Sequence, residues 1–412
     1  MDETGLTAPE YSFNTQHTAL IIGAGLAGCS VAYALAKRGF QCKIYDQHTS
    51  IAKGASAIPA AIVRPSISGD SRYANYFNEA LRYCIDTTDN TVFNSVGVLQ
   101  LVPSTHEQHR KPVNTDTASC SFKPDIQLLD SKQASSLANT ELNSAALYFE
   151  SAGWLNPSAL CQQWSDHPNI EFHGQLPVTE LRHTEFGWQL LTTQSKIVGE
   201  SRLVVLASAY ATSEMLQRCH LPLQTVRGQI DQYEVQNDTP TIQTVITGDG
   251  YLIPGAAKDK PNNEKQMLWV GATHQRNDED TKIRQEDITA NFATAKKLAP
   301  KVTLADQPTK SFAGIRTSTP DRLPLTGAMP DIDEYSGAYS DLRHGRRRQS
   351  FPPPTYHQGL YINTGFGSRG ASQSAFSGEL LARLITGENG QSDVLKSTHP
   401  ARFFLRGLRR GV

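Results

Sequence analysis

The sequence predicts an α/β fold in which a discontinuous Rossmann-like dinucleotide-binding domain carries a second, mixed-sheet domain. Three observations lead there. A glycine turn between a strand and a helix lies near the start, at Gly23-Ala24-Gly25-Leu26-Ala27-Gly28. A second glycine turn of the same kind lies near the other end, at Gly365-Phe366-Gly367-Ser368-Arg369-Gly370. Between them run β-type segments too numerous for one nucleotide-binding unit. A length of 412 residues suits two domains that share one site.

Met1–Thr18 is polar and aperiodic and is expected to be a disordered lead. Ala19–Ile22 reads as a strand, Cys29–Lys37 as a helix ended by Gly39, and Gln41–Tyr45 as a second strand closing on Asp46. Gly23 allows the tight turn, Gly25 lets backbone approach a pyrophosphate, and Gly28 lets helix and strand pack closely. The phosphates would sit at the helix N-terminus, where free N–H groups and the dipole favour an anion. Asp46 stands 23 residues beyond Gly23, the spacing of a carboxylate that binds ribose hydroxyls. An acid here argues against a 2′-phosphate. The second turn, between a strand at Leu360–Asn363 and a helix at Ala371–Ile385, would bring another helix N-terminus to a long cofactor. That arrangement favours FAD over NAD, because such a dipole stabilises the reduced flavin ring.

In the middle, Val96–Val102, Leu203–Ala207, Gln224–Tyr233, Tyr251–Ile253 and Met267–Gly271 read as strands, and Gly187–Thr193 as a hairpin arm. Helices are expected at Tyr73–Thr87, Pro157–Ser165 and Gln285–Leu298. The cofactor domain is expected over 19–97, 150–214 and 311–412, and the substrate domain over 98–149 and 215–310. Asp331–Gln358 carries Arg343, Arg346, Arg347, Arg348 and Pro352-Pro353-Pro354, and reads as an exposed, extended loop.

Composition narrows the class. Lys+Arg number 39 against 40 Asp+Glu, so no uniformly charged arm follows from the total. No apolar run reaches the ~20 residues of a bilayer span, and no secretory signal is legible. A cytoplasmic protein without membrane contact is expected. The six cysteines form no C-x-x-C pair, all precede position 220 and read as reduced thiols. No metal site is expected.

The glycine fingerprint, Gly54-Ala55-Ser56 and Gly367-Ser368-Arg369-Gly370 resemble the D-amino-acid oxidase and glycine oxidase superfamily of flavoproteins. Further strings narrow the likeness: Gly153-Trp154-Leu155-Asn156-Pro157, Val226-Arg227-Gly228-Gln229, Gly248-Asp249-Gly250-Tyr251-Leu252, Asp341-Leu342-Arg343 and His399-Pro400-Ala401-Arg402-Phe403. Together they resemble the C-terminal oxidoreductase half of the bifunctional tRNA-modifying MnmC family, from about Thr18 to Arg410. Only Met1–Thr18 precede that half here, so the resemblance implies the oxidative reaction alone and leaves a separate methyltransferase as an expected partner in the pathway. The sequence also departs from the family at Ala57-Ile58-Pro59-Ala60-Ala61, where Gly-Asn-Pro is usual after Gly54-Ala55-Ser56.

The resemblance implies non-covalent FAD, with Gly23, Gly25, Gly28, Asp46, Ala55, Ser56, Gly367, Ser368, Arg369 and Gly370 around it. It implies action on a CH–NH bond: oxidative removal of the carboxymethyl group from 5-carboxymethylaminomethyl(-2-thio)uridine at the wobble position of tRNA. The products are 5-aminomethyl(-2-thio)uridine and glyoxylate. Arg316, in a Gly-hydrophobic-Arg string, is the expected anchor of the substrate carboxylate; a surface ion pair with Asp321 is the competing reading. Tyr251 is a second candidate in the substrate pocket, or else a core tyrosine. Arg227 and Gln229 line the pocket or form an ordinary sheet pair, and His274 is read as structural. Leu342–Ser350 and His399–Val412 hold four Arg each and no acid, and without those eight, 31 basic residues face 40 acidic ones. These patches are the candidate tRNA contacts. Two other functions share parts of this pattern: a free glycine or sarcosine oxidase, and an FAD-loaded RNA-binding subunit without turnover.

Overall fold

The computed structural model describes residues 12–66, 71–102, 126–216, 219, 221–236, 241–255, 265–344, 352, 354–388 and 393–410. The chain divides into two compact units: residues 1–56, 161–224 and 316–412, and residues 57–160 and 225–315. Residues 57–97, expected with the cofactor segments, fall in the second unit, and Thr225 rather than residue 215 begins its later segment.

The first unit is built on a six-stranded sheet in the order Leu325–Pro330, Tyr356–Thr364, Leu203–Leu206, Ala19–Ile22, Cys42–Tyr45 and Ile170–His173. Its neighbours run parallel except the first pair. Ala19–Ile22 and Leu203–Leu206 are buried along their whole length, which is why they read as continuous apolar runs rather than alternating ones. The helix Leu26–Ala36 is buried almost all round, because the helix Gly370–Thr386 lies against it. Gly378 makes the approach possible: a Cβ there would stand 2.7 Å from the backbone carbon of Ser30. At the far end of the pair Arg38 donates to both oxygens of Glu379, at 3.0 and 2.8 Å, and to Glu388 at 2.9 Å. Gly387, in the left-handed region at φ 75°, ends the return helix.

The expected disordered lead is ordered where it is described. Phe13 is buried, donates its N–H to Ile385 O at 2.8 Å and meets the Tyr361 ring edge-on; Met1–Tyr11 lie outside the described residues. The expected exposed loop at Asp331–Gln358 begins instead with a helix, Ile332–Ala338, capped by Asp331, and a 3-10 turn, Ser340–His344. Tyr335 and Tyr339 are 1% exposed and form a small core with Leu342, Ala401 and Leu405. Those aromatics, spaced one helical turn apart, outweigh the polar residues around them. Residues 345–351 and 353 lie outside the described residues.

The second unit is a mixed sheet. Its order is Gln275–Arg276, Gln224–Glu234, Met267–Gly271, Tyr251–Pro254, Val245–Thr247, Val98–Leu101, Ala146–Phe149 and Ile126–Leu129, and Lys310–Ser318 pairs Gln224–Glu234. The helix Gln285–Leu298 forms over the span read from the sequence, and buries Ala295 and Leu298 in a core with Leu252, Leu268 and Val270. A small sheet of Ala61–Val63, Gly153–Leu155 and Phe93–Asn94 completes the unit.

Candidate functional site

The glycine turn is held at its start by Gly23, whose φ of 108° and closeness to Ala207 O, 2.5 Å from an added Cβ, exclude any side chain. Gly28 lies under the turn, where a Cβ would sit 1.8 Å from Gly23 O. Gly25 has an ordinary φ of −88° and faces Ser56, whose Oγ would be 3.0 Å from its Cβ and accepts the Leu26 N–H at 3.0 Å. Ser56 reaches this place from the short 3-10 turn Ala55–Ala57. At the end of the neighbouring strand, Asp46 Oδ2 accepts the Ala24 N–H at 2.8 Å, and Oδ1 accepts the His48 N–H at 2.9 Å and lies 2.7 Å from His48 Nδ1. A carboxylate oxygen takes two donors or more, so Asp46 keeps capacity for ribose hydroxyls. His48, which orients that carboxylate, was not singled out from sequence; its only signal there is its place two residues beyond Asp46.

The second glycine turn belongs to the same unit. Gly365 and Gly367 have φ of 83° and 57°, and the 3-10 turn Gly367–Arg369 leads into the helix at Gly370. Gly370 lies against the start of the first helix: a Cβ there would be 3.4 Å from Leu26 Cδ1. Two helix N-termini therefore converge, an arrangement made for an anion. Ser368 is exposed, and Arg369 is half-buried with its carbonyl accepting Ser372 Oγ at 3.1 Å. The converging termini, the open face at Gly25 and the Asp46 carboxylate fit the diphosphate and ribose of a dinucleotide.

Arg316 is half-buried in the strand Lys310–Ser318. Ser318, two residues on and therefore on the same face, bridges Phe366 in the second glycine turn. The competing partner Asp321 is already taken. Arg402 Nε and Nη2 each donate to its carboxylate at 3.0 Å, and Arg406 Nη1 donates at 2.7 Å. Burial opposes ionisation of Asp321, but the bonds from Arg402 and Arg406 outweigh it and hold its carboxyl below the usual range.

Tyr251 opens its strand in the second unit, half-buried, with its ring 3.3 Å from where a Gly271 Cβ would be. Arg227 is wholly buried in that unit and is occupied by protein. It donates to Asp280 O at 2.6 Å, Lys282 O at 2.7 Å, Gln275 Oε1 at 2.8 Å, Gln229 Oε1 at 3.2 Å and the Asp287 carboxylate. Arg227 and Gln229 thus pin the segment before the helix Gln285–Leu298. His274 is exposed. The tail patch also changes character. Arg402 is 2% exposed and structural, Arg406 shares its clamp, and on the helix Arg402–Arg410 only Arg409 and Arg410 are exposed. Of the other patch, Arg346, Arg347 and Arg348 lie outside the described residues. Among the described residues no His, Cys, Asp or Glu cluster could hold a metal, and no helix is long and apolar enough to cross a membrane.

Residues 18–384 match the FAD dependent oxidoreductase (DAO) family. The chain is 28% identical over 410 residues to a protein of Pseudomonas savastanoi pv. phaseolicola named tRNA 5-methylaminomethyl-2-thiouridine biosynthesis bifunctional protein MnmC. It is 31% identical over 408 residues to the protein of that name in Pseudomonas entomophila. These matches take in 96% and 95% of this chain but 60% of each relative, so the chain spans about 60% of their length. Among solved structures it is similar to glycine oxidase from Geobacillus kaustophilus, with a TM-score of 0.71 at 20% identity, covering 94% of this chain and 98% of that one. It is also similar to L-proline dehydrogenase from P. horikoshii, with a TM-score of 0.71 at 16% identity, covering 96% and 99%.

Proposed function

The chain belongs to the FAD dependent oxidoreductase family, and on that premise we propose that it oxidises the carboxymethylaminomethyl group of a tRNA wobble uridine. That group is an N-substituted glycine. Removal of a hydride from its Cα and a proton from its nitrogen leaves a C=N bond; water adds to it, and the carbon–nitrogen bond breaks to give aminomethyl uridine and glyoxylate. FAD, held without a covalent link, supplies the two-electron acceptor. Arg316 anchors the glycine carboxylate with its planar fork, and Tyr251 is the candidate for a hydroxyl contact to substrate. The observation that carries the anchor is the Ser318–Phe366 bridge, which ties the Arg316 strand to the turn that opens the return helix. The tRNA substrate is supported by the likeness of nearly the whole chain to proteins named for that pathway.

A second reading, oxidation of free glycine or sarcosine, is favoured by the likeness to glycine oxidase. Anaerobic mixing of the yellow protein with tRNA carrying the carboxymethylaminomethyl group separates the two. Bleaching of the flavin by that tRNA, with glyoxylate formed and glycine inert, is the expected result. Bleaching by glycine or sarcosine alone would overturn the tRNA reading. In cells lacking the chain, nucleoside mass spectrometry should show accumulated carboxymethylaminomethyl uridine.

A further inference from the structure

We propose that Arg64 is an oxyanion-binding residue of the second unit, taking a carboxylate or phosphate oxygen of the substrate. Arg64 directly follows the strand Ala61–Val63, which pairs with Gly153–Leu155 in the small sheet. Val63 is wholly buried, so alternation turns Ile62 and Arg64 to the other face. There Ile62 packs against the apolar cluster of Val98, Leu147, Phe149 and Trp154. The guanidinium carbon of Arg64 stands 5.9 Å from the centre of the Phe149 ring, which is itself buried. The charge therefore lies on an apolar bed. Ala60 belongs to that cluster and Ile58 packs against it, so the segment that departs from the family builds the surroundings of Arg64.

A guanidinium carries a fork of N–H donors and keeps its charge at neutral pH. Among the described residues Arg64 donates only from Nη1, to Pro65 O at 3.0 Å, and pairs with no carboxylate. The other buried arginines of the molecule are treated differently: Arg227 is paired with Asp287, and Arg402 with Asp321. Burial pushes the Arg64 pKa down, and a ring at 5.9 Å is a weak substitute for a counter-ion. A desolvated charge without a partner is costly, so it marks a place where an anion belongs. Arg64 is half-buried rather than sealed, so protein does not close it off from a ligand. Its planar fork matches two oxygens of a carboxylate or a phosphate. A modified tRNA offers both groups, and a free amino acid offers the carboxylate. Tyr251, the candidate hydroxyl contact, packs against the same apolar cluster in the same unit. The inference rests on a substrate that carries an oxyanion, and not on the tRNA reading or on Arg316.

The test uses the full chain with its FAD, titrated by calorimetry with acetate and, separately, with inorganic phosphate at constant ionic strength. Melting temperature is measured with and without each anion. Arg64→Met keeps the stem on the Phe149 ring and removes the fork. It should raise the Kd of one or both anions about tenfold, the scale of lost bonds between charged groups. Loss for acetate alone assigns the site to a substrate carboxylate, and loss for phosphate alone assigns it to a nucleotide phosphate. Without added anion Arg64→Met should melt at or above the wild-type temperature, because the unpaired charge is gone, while the rise on adding the anion shrinks. Arg64→Lys should recover part of the affinity, since a point charge cannot reproduce the fork. Arg64→Leu serves as the apolar variant if Met does not fold. On an Arg316→Met background Arg64→Met should still weaken the anion, which separates this site from the proposed anchor. Kd values for both anions within twofold of wild type in the apolar variant, or equal losses of melting temperature with and without anion, would overturn the proposal and make Arg64 a packing group.

Discussion

At the residue scale, glycines of one fingerprint do different work, and substitution separates them. A Cβ at Gly25 meets only the Ser56 side chain, nearest at Oγ, 3.0 Å away, on a backbone any residue adopts, whereas one at Gly28 would stand 1.8 Å from the carbonyl of Gly23. If the cofactor binds on the open face at Gly25, Gly25→Ala should give folded protein that loses FAD on dilution, with affinity down about tenfold. Gly28→Ala should cost roughly 3 kcal/mol or more, since backbone cannot yield, and is read as loss of soluble protein. Arg316 supplies the sharpest test of mechanism. Arg316→Met keeps the stem and removes the fork, so bound FAD should persist while anaerobic flavin reduction by the modified tRNA slows at least ~100-fold, the effect of about 3 kcal/mol. Arg316→Lys should restore part of that rate, and a normal rate in Arg316→Met would end its role as anchor. The fingerprint was legible because its spacing is set by local backbone geometry. His48 was not, because its meaning comes from the Asp46 carboxylate that the folded turn brings against its ring.

At the element scale, the tail helix Arg402–Arg410 reads as a solvated basic segment but is a docked one. Leu405 enters the small core of Tyr335 and Tyr339, Phe403 and Phe404 pack on the main core, and Asp321 clamps Arg402. An i, i+4 run of arginines advertises charge, and only tertiary contact reveals that two of the four share Asp321. Removing Arg402 leaves Asp321 to Arg406 alone and takes the donor from the carbonyls of Thr398 and Leu323, so Arg402→Met should lower stability by about 3 kcal/mol, measured as denaturant or thermal unfolding. His399, at the head of the same helix, gives the element a pH dependence. Its Nδ1 accepts the Ala401 N–H at 3.1 Å and its Nε2 lies 3.0 Å from Tyr356 Oη. Burial, aided by Arg402, holds its pKa down to about 3. The unfolded chain takes a proton near pH 6.5 while the folded chain does not, so stability falls as pH drops through that window. From pH 6.5 to 5 the loss from this group should be about 2 kcal/mol. His399→Asn should flatten that slope by about one proton; an unchanged slope would assign the acid sensitivity elsewhere. Asp321 acts lower: its contribution is full above the usual carboxylate range and is lost as the pH falls from that range toward its depressed folded value.

At the scale of the whole molecule, the two arginine-rich segments lie some sixty residues apart in sequence, yet Leu342 and Leu405 share one small core. The tail helix and the stretch that leads to Leu342 therefore meet in the described part of the fold, and a phosphate backbone is the partner that exposed arginines such as Arg409 and Arg410 suit. The structure narrows which residues should matter: Arg409 and Arg410 are exposed, while Arg402 is committed to Asp321. Salt dependence distinguishes a phosphate contact from a structural arginine. For tRNA binding, the slope of log K against log salt should fall in magnitude by about one for each phosphate contact removed. The Arg409→Ala, Arg410→Ala double variant should weaken binding at low salt and lower that slope by up to about two, with FAD content and melting temperature unchanged. Arg346, Arg347 and Arg348 changed together to Glu should weaken binding more, because repulsion is added to lost attraction, again without loss of FAD. Arg402→Met should behave in the opposite way, losing melting temperature while the folded fraction keeps the wild-type slope. If both sets of arginines can be removed with affinity and slope unaltered, tRNA does not dock through these segments, and the free amino-acid reading gains the weight that the charge pattern had withheld from it.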